Sequence, residues 1–371
     1  MRSLLRGLFA ASVLLASSSQ ANAAYIFSTF FHPEGANSNA NGINNVGQVA
    51  GAVHTTNTRG YNIDQATLWY GNTTVNLGTL GGDYSQTTGI NNAGQVVGYA
   101  YTTGNQEAYG TVWNGTMPTA IGNNGSGASA INDFGQVVGT SSYHAILWDG
   151  AIVTDLSPLA ITAAANAINN SGQIVGYTYN AGDPSQRPTL WNGTTAIDLG
   201  TLGGNFGMAY GINDVGQIVG ISTTSDNTGI HATLWDGTVP TELFWLGGNL
   251  SLANAINNSG QTVGYSFTSG DFSNANIHTT QRATLWNGAT AIDLNSFLDA
   301  ATVSEGWVLL VASDINDNGW IVGKAFNSIS GKEHAYMLSV VAVPEPETYA
   351  MMLAGLGLIG AMARRRKIVE V

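Results

Sequence analysis

Asp314-Ile315-Asn316-Asp317-Asn318-Gly319 opens like a calcium loop, in which Asp and Asn alternate ahead of a turning glycine. Asp317 falls between the ligand positions, however. The twelfth place is Ala325, which has no carboxylate to close the shell. The stretch therefore reads as a turn, and no metal ligand is assigned. The histidines (His32, His54, His144, His231, His278 and His334) show neither H-x-x-x-H nor H-E-x-x-H spacing. Hydrolysis would call for paired carboxylates or a Ser-His-Asp set at places that occur once. Asp155, Asp198 and Asp293 instead recur before leucine in different parts of the chain, which points to a turn or strand role. The G-x-S-x-G elbow and the G-x-x-x-x-G-K-[ST] phosphate loop are absent, and there are no cysteines. No catalytic residue and no cofactor site follows from these residues.

The calcium-like stretch is one of several copies. Ile43-Asn44-Asn45-Val46-Gly47-Gln48-Val49-Ala50-Gly51 returns at Ile90, Ile131, Ile168, Ile212, Ile256 and Ile315, with gaps of 47, 41, 37, 44, 44 and 59 residues. A phrase repeating every 40–50 residues is the signature of a β-propeller. Between copies, Arg187–Ser222 holds four short β-rich runs ended by Asn-Gly, glycine-rich or Asn-Asp turns. Asn44, Asn91, Asn132, Asn169, Asn213, Asn257 and Asn316 mark the phrase. Trp69, Trp113, Trp148, Trp191, Trp235 and Trp286 mark a second strand, with Leu338 in the last copy. A tryptophan recurring at one strand end is read as core between neighbouring blades. Tyr25–Phe30 has no preceding Trp strand, and His334–Leu338 has no following partner, so the two can pair and remove open edges. The expectation is an all-β, seven-bladed propeller of four-stranded antiparallel blades, closed by the N-terminal strand, over residues 24–341. One helical turn capped by Asn295 or Ser296 is expected in the longer last unit.

The two ends read as addresses. Arg2 and Arg6, the apolar run Leu8–Leu15 and Ala21-Asn22-Ala23 make residues 1–23 a secretory signal peptide, cut after Ala23 by signal peptidase. At the other end, residues 342–348 carry Pro344-Glu345-Pro346. Residues 349–363 form an uncharged stretch read as a short transmembrane helix. Residues 364–371 begin with Arg364-Arg365-Arg366-Lys367 and read as a basic cytoplasmic tail. A helix of that length spans about 22 Å, short of a hydrocarbon core of about 30 Å, so the span is marginal.

Pro-Glu-Pro, a short apolar segment and an arginine cluster closely resemble the PEP-CTERM sorting tail. The resemblance implies recognition by an exosortase and export across the inner membrane of a Gram-negative bacterium. It also implies a membrane-anchored precursor that ends at the cell surface or outside, and an association with exopolysaccharide and biofilm matrix. The repeats, with His231-Ala232-Thr233-Leu234-Trp235 and Leu199-Gly200-Thr201-Leu202-Gly203-Gly204, look like the extracellular repeats of the HAF family. That resemblance implies a secreted or surface β-repeat protein and carries no catalytic residues.

Charge agrees with export. Residues 24–343 hold 20 acidic and 5 basic side chains, a balance of −15, which repels nucleic acid phosphates. The expected function is a non-enzymatic surface or matrix protein that binds polysaccharide or another surface protein. The alternative is a carbohydrate-active hydrolase or lyase on a propeller, recognisable by two or three unlike acids at one channel mouth.

Overall fold

Each copy of the repeated phrase is a strand end, a tight turn and a second strand, and backbone sterics fix its glycines. In a computed structural model, which describes residues 24–30, 36–56, 60–183, 185–270 and 277–341, Asn37–Ile43 runs into the turn Asn44–Gln48 and returns as Val49–Thr56. The Asn44 amide donates to the Gln48 carbonyl and the Gly47 amide to the Asn44 carbonyl, at 3.1 and 3.0 Å. Gly47 sits at φ +84°, a left-handed conformation that L side chains adopt only at a cost. Gly51, which ends the phrase, is fixed by space instead. A Cβ there would lie 2.1 Å from the Asn39 carbonyl oxygen. The matching glycines Gly98, Gly139, Gly176, Gly220, Gly264 and Gly323 would meet the facing strand's carbonyl at 1.9–2.0 Å.

That close approach belongs to a β-bulge. The ladder between the two strands skips one residue in every copy: Asn41, Thr88, Ser129, Asn166, Tyr210, Asn254 and Ser313 have no opposite number. A bulge re-aims the side chain it frees and bends the strand.

The core forms between successive sheets. Trp113 packs on Ala50, Ala66 and Leu77 of the preceding unit. Trp235 packs on Val175 and Leu199, and Trp286 on Val219, Ala232 and Leu243. Trp191 meets Val138, Ala145 and Leu156, and Trp69 meets Val322 and Ala335. All six tryptophans are 0–4% exposed. Leu156 and Leu199, which follow recurring acids, are buried against Trp191 and Trp235, and Leu294 is buried in the cluster that holds Leu338.

Strand pairing corrects the expected architecture. There are five four-stranded sheets, not seven, and one eight-stranded sheet. The four-stranded sheets are Asn37–Asn76, Gly81–Ile121, Gly127–Asp155, Ser251–Asp293, and Trp307–Val341 with Ala24–Phe30 at its outer edge. Strands from Ala160–Ile168 to Val239–Glu242 form the eight-stranded sheet, joined where Gln186 pairs in parallel with Phe206. The pairing residue Phe206 lies in Gly203–Ile212, the strand that begins in the connection after Leu199. The result is a five-blade propeller arrangement with a double-width sheet. The grouping of strands also differs from the sequence reading. Gln186–Asn192, with Trp191, is the third strand of its group rather than the first, so Arg187–Ser222 straddles two groups.

The expected C-terminal helix is not supported either. Residues 349–363 lie outside the described residues, and no described helix is long and apolar enough to cross a membrane. In the last unit the helical turns are Leu294–Phe297, capped by Asp293, and Ala300–Ser304, capped by Asp299. The aspartates take the capping role given to Asn295 or Ser296, because each precedes the turn and its carboxylate accepts from a first-turn amide. Tyr25–Val340 forms one compact unit.

Candidate functional site in the central channel

The seven phrase asparagines meet around a channel and close a circuit. Each Nδ2 donates to the backbone carbonyl of the next: Asn44 to Asn91, Asn91 to Asn132, Asn132 to Asn169, Asn169 to Asn213, Asn213 to Asn257, Asn257 to Asn316, and Asn316 back to Asn44. The distances are 2.9–3.2 Å. The side chains are 3–4% exposed. In six copies Nδ2 also donates to the glutamine of its own turn, as Asn44 does to Gln48 Oε1 at 2.7 Å. In the seventh, Trp320 stands where the glutamine would be and only its backbone amide reaches Asn316 Oδ1. Buried amides this fully paired are structural: they lock the phase of one sheet to the next.

The residues that follow form a second circuit at the channel mouth. In the order Asn45, Asn92, Asp133, Asn170, Asp214, Asn258 and Asp317, each backbone amide donates to the next residue's Oδ1 at 2.8–2.9 Å. The three carboxylates take their second oxygen's bonds from flanking amides. Asp133 Oδ2 accepts from Asn92 and Asn170, Asp214 Oδ2 from Asn170 and Asn258, and Asp317 Oδ2 from Asn258 and Asn45, at 3.0–3.2 Å. Each carboxylate thus accepts three hydrogen bonds. The acids at this mouth are all aspartates, and all are hydrogen-bonded to the ring. Among the described residues no group of three His, Cys, Asp or Glu side chains could hold a metal ion. The calcium-like stretch lies in these circuits: Asn316 and Asp317 are ring members, Asn318 Nδ2 donates to the Asn45 carbonyl, and Ala325 is buried in the strand Ile321–Asn327.

The seven phrase isoleucines line the ring mouth, and Ile90, Ile131, Ile212 and Ile256 also line a second cavity of about 200 Å³. The second cavity is lined by the bulge residues. Asn41, Thr88, Asn166 and Asn254 each donate to a carbonyl of the following unit: Thr87, Ala128, Ala209 and Ala312. The residue after each bulge is Gly42, Gly89, Ala130, Ala167, Gly211 or Ala255, and in the last copy Asp314. Asp314 Oδ2 accepts from the Ile43 amide at 2.9 Å and its Oδ1 from the Ile315 amide at 2.8 Å. It therefore joins the last sheet to the first. Burial pushes its carboxyl up to about 7, against these two bonds, and the nearby Asp317 adds to the rise.

The acids before leucine have a different task. Asp155 Oδ2 meets His144 Nδ1 at 2.6 Å, and Glu242 pairs with His231. Asp198 and Asp293 lie 3.7 and 4.0 Å from Arg187 and Arg282. Three of them also fasten the next turn, through the amides of Ser157, Gly200 and Asn295. They are cross-strand pairs at the outer edge, each partnered by the residue four before the recurring Trp or its equivalent.

Sequence reading marked the seven asparagines only as repeat positions; the structure brings them into one circuit and sets the tryptophans in the layers between sheets. Sequence reading missed Asp314, although the signal was present: one carboxylate in a column that is otherwise glycine or alanine. Ala23, Pro344, Glu345, Pro346, Arg364, Arg365 and Arg366 lie outside the described residues.

Residues 342–367 match the PEP-CTERM protein-sorting motif. The motif implies export to the envelope or surface of a Gram-negative bacterium, with processing by an exosortase at the membrane. No curated protein matches the chain. The HAF-family resemblance of the repeats has no support.

Proposed function

We propose that this is a non-enzymatic scaffold of the cell surface or extracellular matrix, released by exosortase cleavage near Pro344-Glu345-Pro346, whose repeat unit binds polysaccharide or another surface protein. One observation carries the reading: a sorting motif follows a unit whose recurring carboxylates are all engaged in holding its turns and sheets together. Here the ring acids each accept three hydrogen bonds and the edge acids are paired with His or Arg. The acidic balance of residues 24–343 also suits a protein kept soluble outside the cell.

The test is retention of residues 24–341 on the producer's own exopolysaccharide and on its washed cell surface. Binding to either supports the reading. Binding to neither, or release of reducing ends from the polysaccharide, overturns it.

A further inference from the structure

The two channel cavities are equal in size, about 200 Å³ each, but they spend their polar atoms differently. At the ring mouth the asparagine amides donate and the carboxylates accept within the two circuits. On the bulge side the fold uses the donors and leaves acceptors over. Thr88 Oγ1 donates to the Ala128 carbonyl at 2.8 Å, Asn166 Nδ2 to that of Ala209 at 2.8 Å, and Asn254 Nδ2 to that of Ala312 at 2.9 Å. A carbonyl only accepts, so each asparagine must face it with nitrogen, and Oδ1 is the atom left over. The Oδ1 atoms of Asn166 and Asn254 have no partner among the described residues. Tyr210 gives its proton to the Met208 sulfur at 3.1 Å, which leaves the phenol oxygen to accept. Ser129 and Ser313 hold no side-chain hydrogen bond among the described residues. All six residues line the cavity.

These oxygens have a common origin. Each belongs to the residue that a bulge leaves without an opposite number and so re-aims. The residue type changes from copy to copy, yet in all seven copies it is polar. The inner asparagines are identical because a circuit needs one geometry. The bulge column keeps oxygen at the cavity without keeping a geometry, which is what a wall facing an occupant requires.

Charge and hydrogen-bond capacity narrow the class of that occupant. No Lys, Arg or His lines the cavity, and Asp314 does. Both Asp314 oxygens already hold backbone amides, so Asp314 supplies negative charge rather than a free acceptor. A wall with acceptors to spare, few donors and one acid suits a cation that brings N–H bonds and no acceptor of its own. A primary ammonium, with three donors, is such a group. A bare metal ion would need its oxygens to converge at about 2–2.6 Å. These come from six successive repeat copies around the channel, not from one loop. At about 200 Å³ the cavity is also smaller than the roughly 300 Å³ at which sites for drug-sized ligands begin, so it takes one small group.

We propose that the bulge-side cavity of the channel binds a primary ammonium group, held by the unspent oxygens of Asn166, Tyr210, Asn254, Thr88 and the two serines. A free polyamine would bring such a group, and so would an unacetylated amino sugar. The proposal goes beyond the polysaccharide reading and does not depend on it.

The test titrates the protein purified from its producing bacterium, near neutral pH, with spermidine and with a glucosamine oligosaccharide. The contrasting probes are the N-acetylated oligosaccharide and tetramethylammonium, a cation without N–H bonds. Saturable binding of at least one amine is expected, at least about tenfold tighter than either contrasting probe. Tyr210→Phe combined with Ser313→Ala abandons only the bond to the Met208 sulfur, so the melting temperature should hold while amine binding weakens at least about tenfold. Asp236→Asn removes one negative charge from an exposed hairpin outside the cavity, where Asn114, Asn192 and Asn287 stand in other copies, and should leave binding within about twofold. Binding of neither amine, equal binding of tetramethylammonium, or a double variant that binds like the parent overturns the inference. Binding of spermidine without the glucosamine oligosaccharide supports it with a polyamine as the source, and binding of the oligosaccharide supports it with an amino sugar. Retention on the producer's exopolysaccharide is scored separately, so either reading can fall while the other stands.

Discussion

Replacing Asp314 by alanine should weaken the protein at acid pH and leave it nearly unchanged at alkaline pH. The backbone accepts the change, since Ala130, Ala167 and Ala255 occupy the same place after the other bulges. In the folded protein the Asp314 carboxyl is pushed up from 3.8 to about 7. A raised value means that the folded state holds the proton more tightly than the unfolded chain. The favourable contribution is therefore complete below about pH 4 and is lost as pH rises to about 7. At 1.36 kcal/mol per unit, the penalty for carrying the ionised group above pH 7 has a ceiling of about 4 kcal/mol. Asp314 is half-buried and lines an open cavity, so screening brings the working figure to about 2 kcal/mol. Alanine removes that penalty. It also strips the Ile43 and Ile315 amides of their acceptor, which costs about 1–3 kcal/mol at every pH. The variant should thus be clearly weaker than the parent at pH 4 and close to it at pH 8. Urea unfolding of both proteins at half-unit steps across that range measures the difference. A gap that stays constant, or widens as pH rises, refutes the reasoning.

Other expectations follow from the same geometry. Asn169→Ala opens the inner circuit and abandons four hydrogen bonds at a 3% exposed site, so it should cost about 2–4 kcal/mol in thermal unfolding, while Asn72→Ala in an exposed hairpin should stay within about 0.5 kcal/mol. Gly176→Ala places a Cβ 1.9 Å from the Ala164 carbonyl oxygen and should destabilise by about 3 kcal/mol or more, because backbone must move. Gly182→Ala, at φ +83° with open space around it, should cost only about 1 kcal/mol, and equal losses in the two would contradict the close-approach argument. Truncation after Val341 removes the sorting motif, so cell fractionation should show loss of the processed form and altered partition between envelope and medium; an unchanged distribution would deny the motif its role.

How much of this could be read from sequence depends on what each residue type encodes. Asn-x-x-Gly spacing encodes a turn through the left-handed glycine, and a recurring Trp encodes a buried layer, so both were legible as local facts. Which strands share a sheet is set by pairing between segments, and the sequence carries that only weakly. The run Thr189-Leu190-Trp191 looks like the start of a unit because Asn-Gly follows it. In the structure it pairs backward with Gln173–Asn180, and so ends up third. The one parallel pair Gln186–Phe206 widens a single sheet, although the same glycine-rich stretch at Leu77–Gly82 leads into an equally long strand without such a pair, and no residue type announces it. The helical caps were misplaced for a similar reason. Asp293 was counted among the repeating edge acids, and one carboxylate both faces Arg282 and starts a turn.

The candidate site shows the opposite failure. Repetition is informative about structure because a residue needed seven times is needed by the fold. The same logic hides function, since attention goes to the columns that agree. The places that break the pattern are few: Asp314 among glycines and alanines, Trp320 in place of glutamine, and the shortened third sheet with its Ser142-Tyr143 turn. The first two lie at the last unit, where Asp314 reaches the first inner strand and Ala24–Phe30 shares a sheet with Lys332–Val341, so the need to join the last unit to the first accounts for them. The third lies in the sheet Gly127–Asp155, which includes neither the first nor the last described strand. A strained tyrosine turn beside an open cavity costs stability in a sheet that neighbouring sequence shows how to build without it. Folding alone does not ask for Ser142-Tyr143 at a turn whose two residues both sit at positive φ, where Asn-Gly would fit without strain.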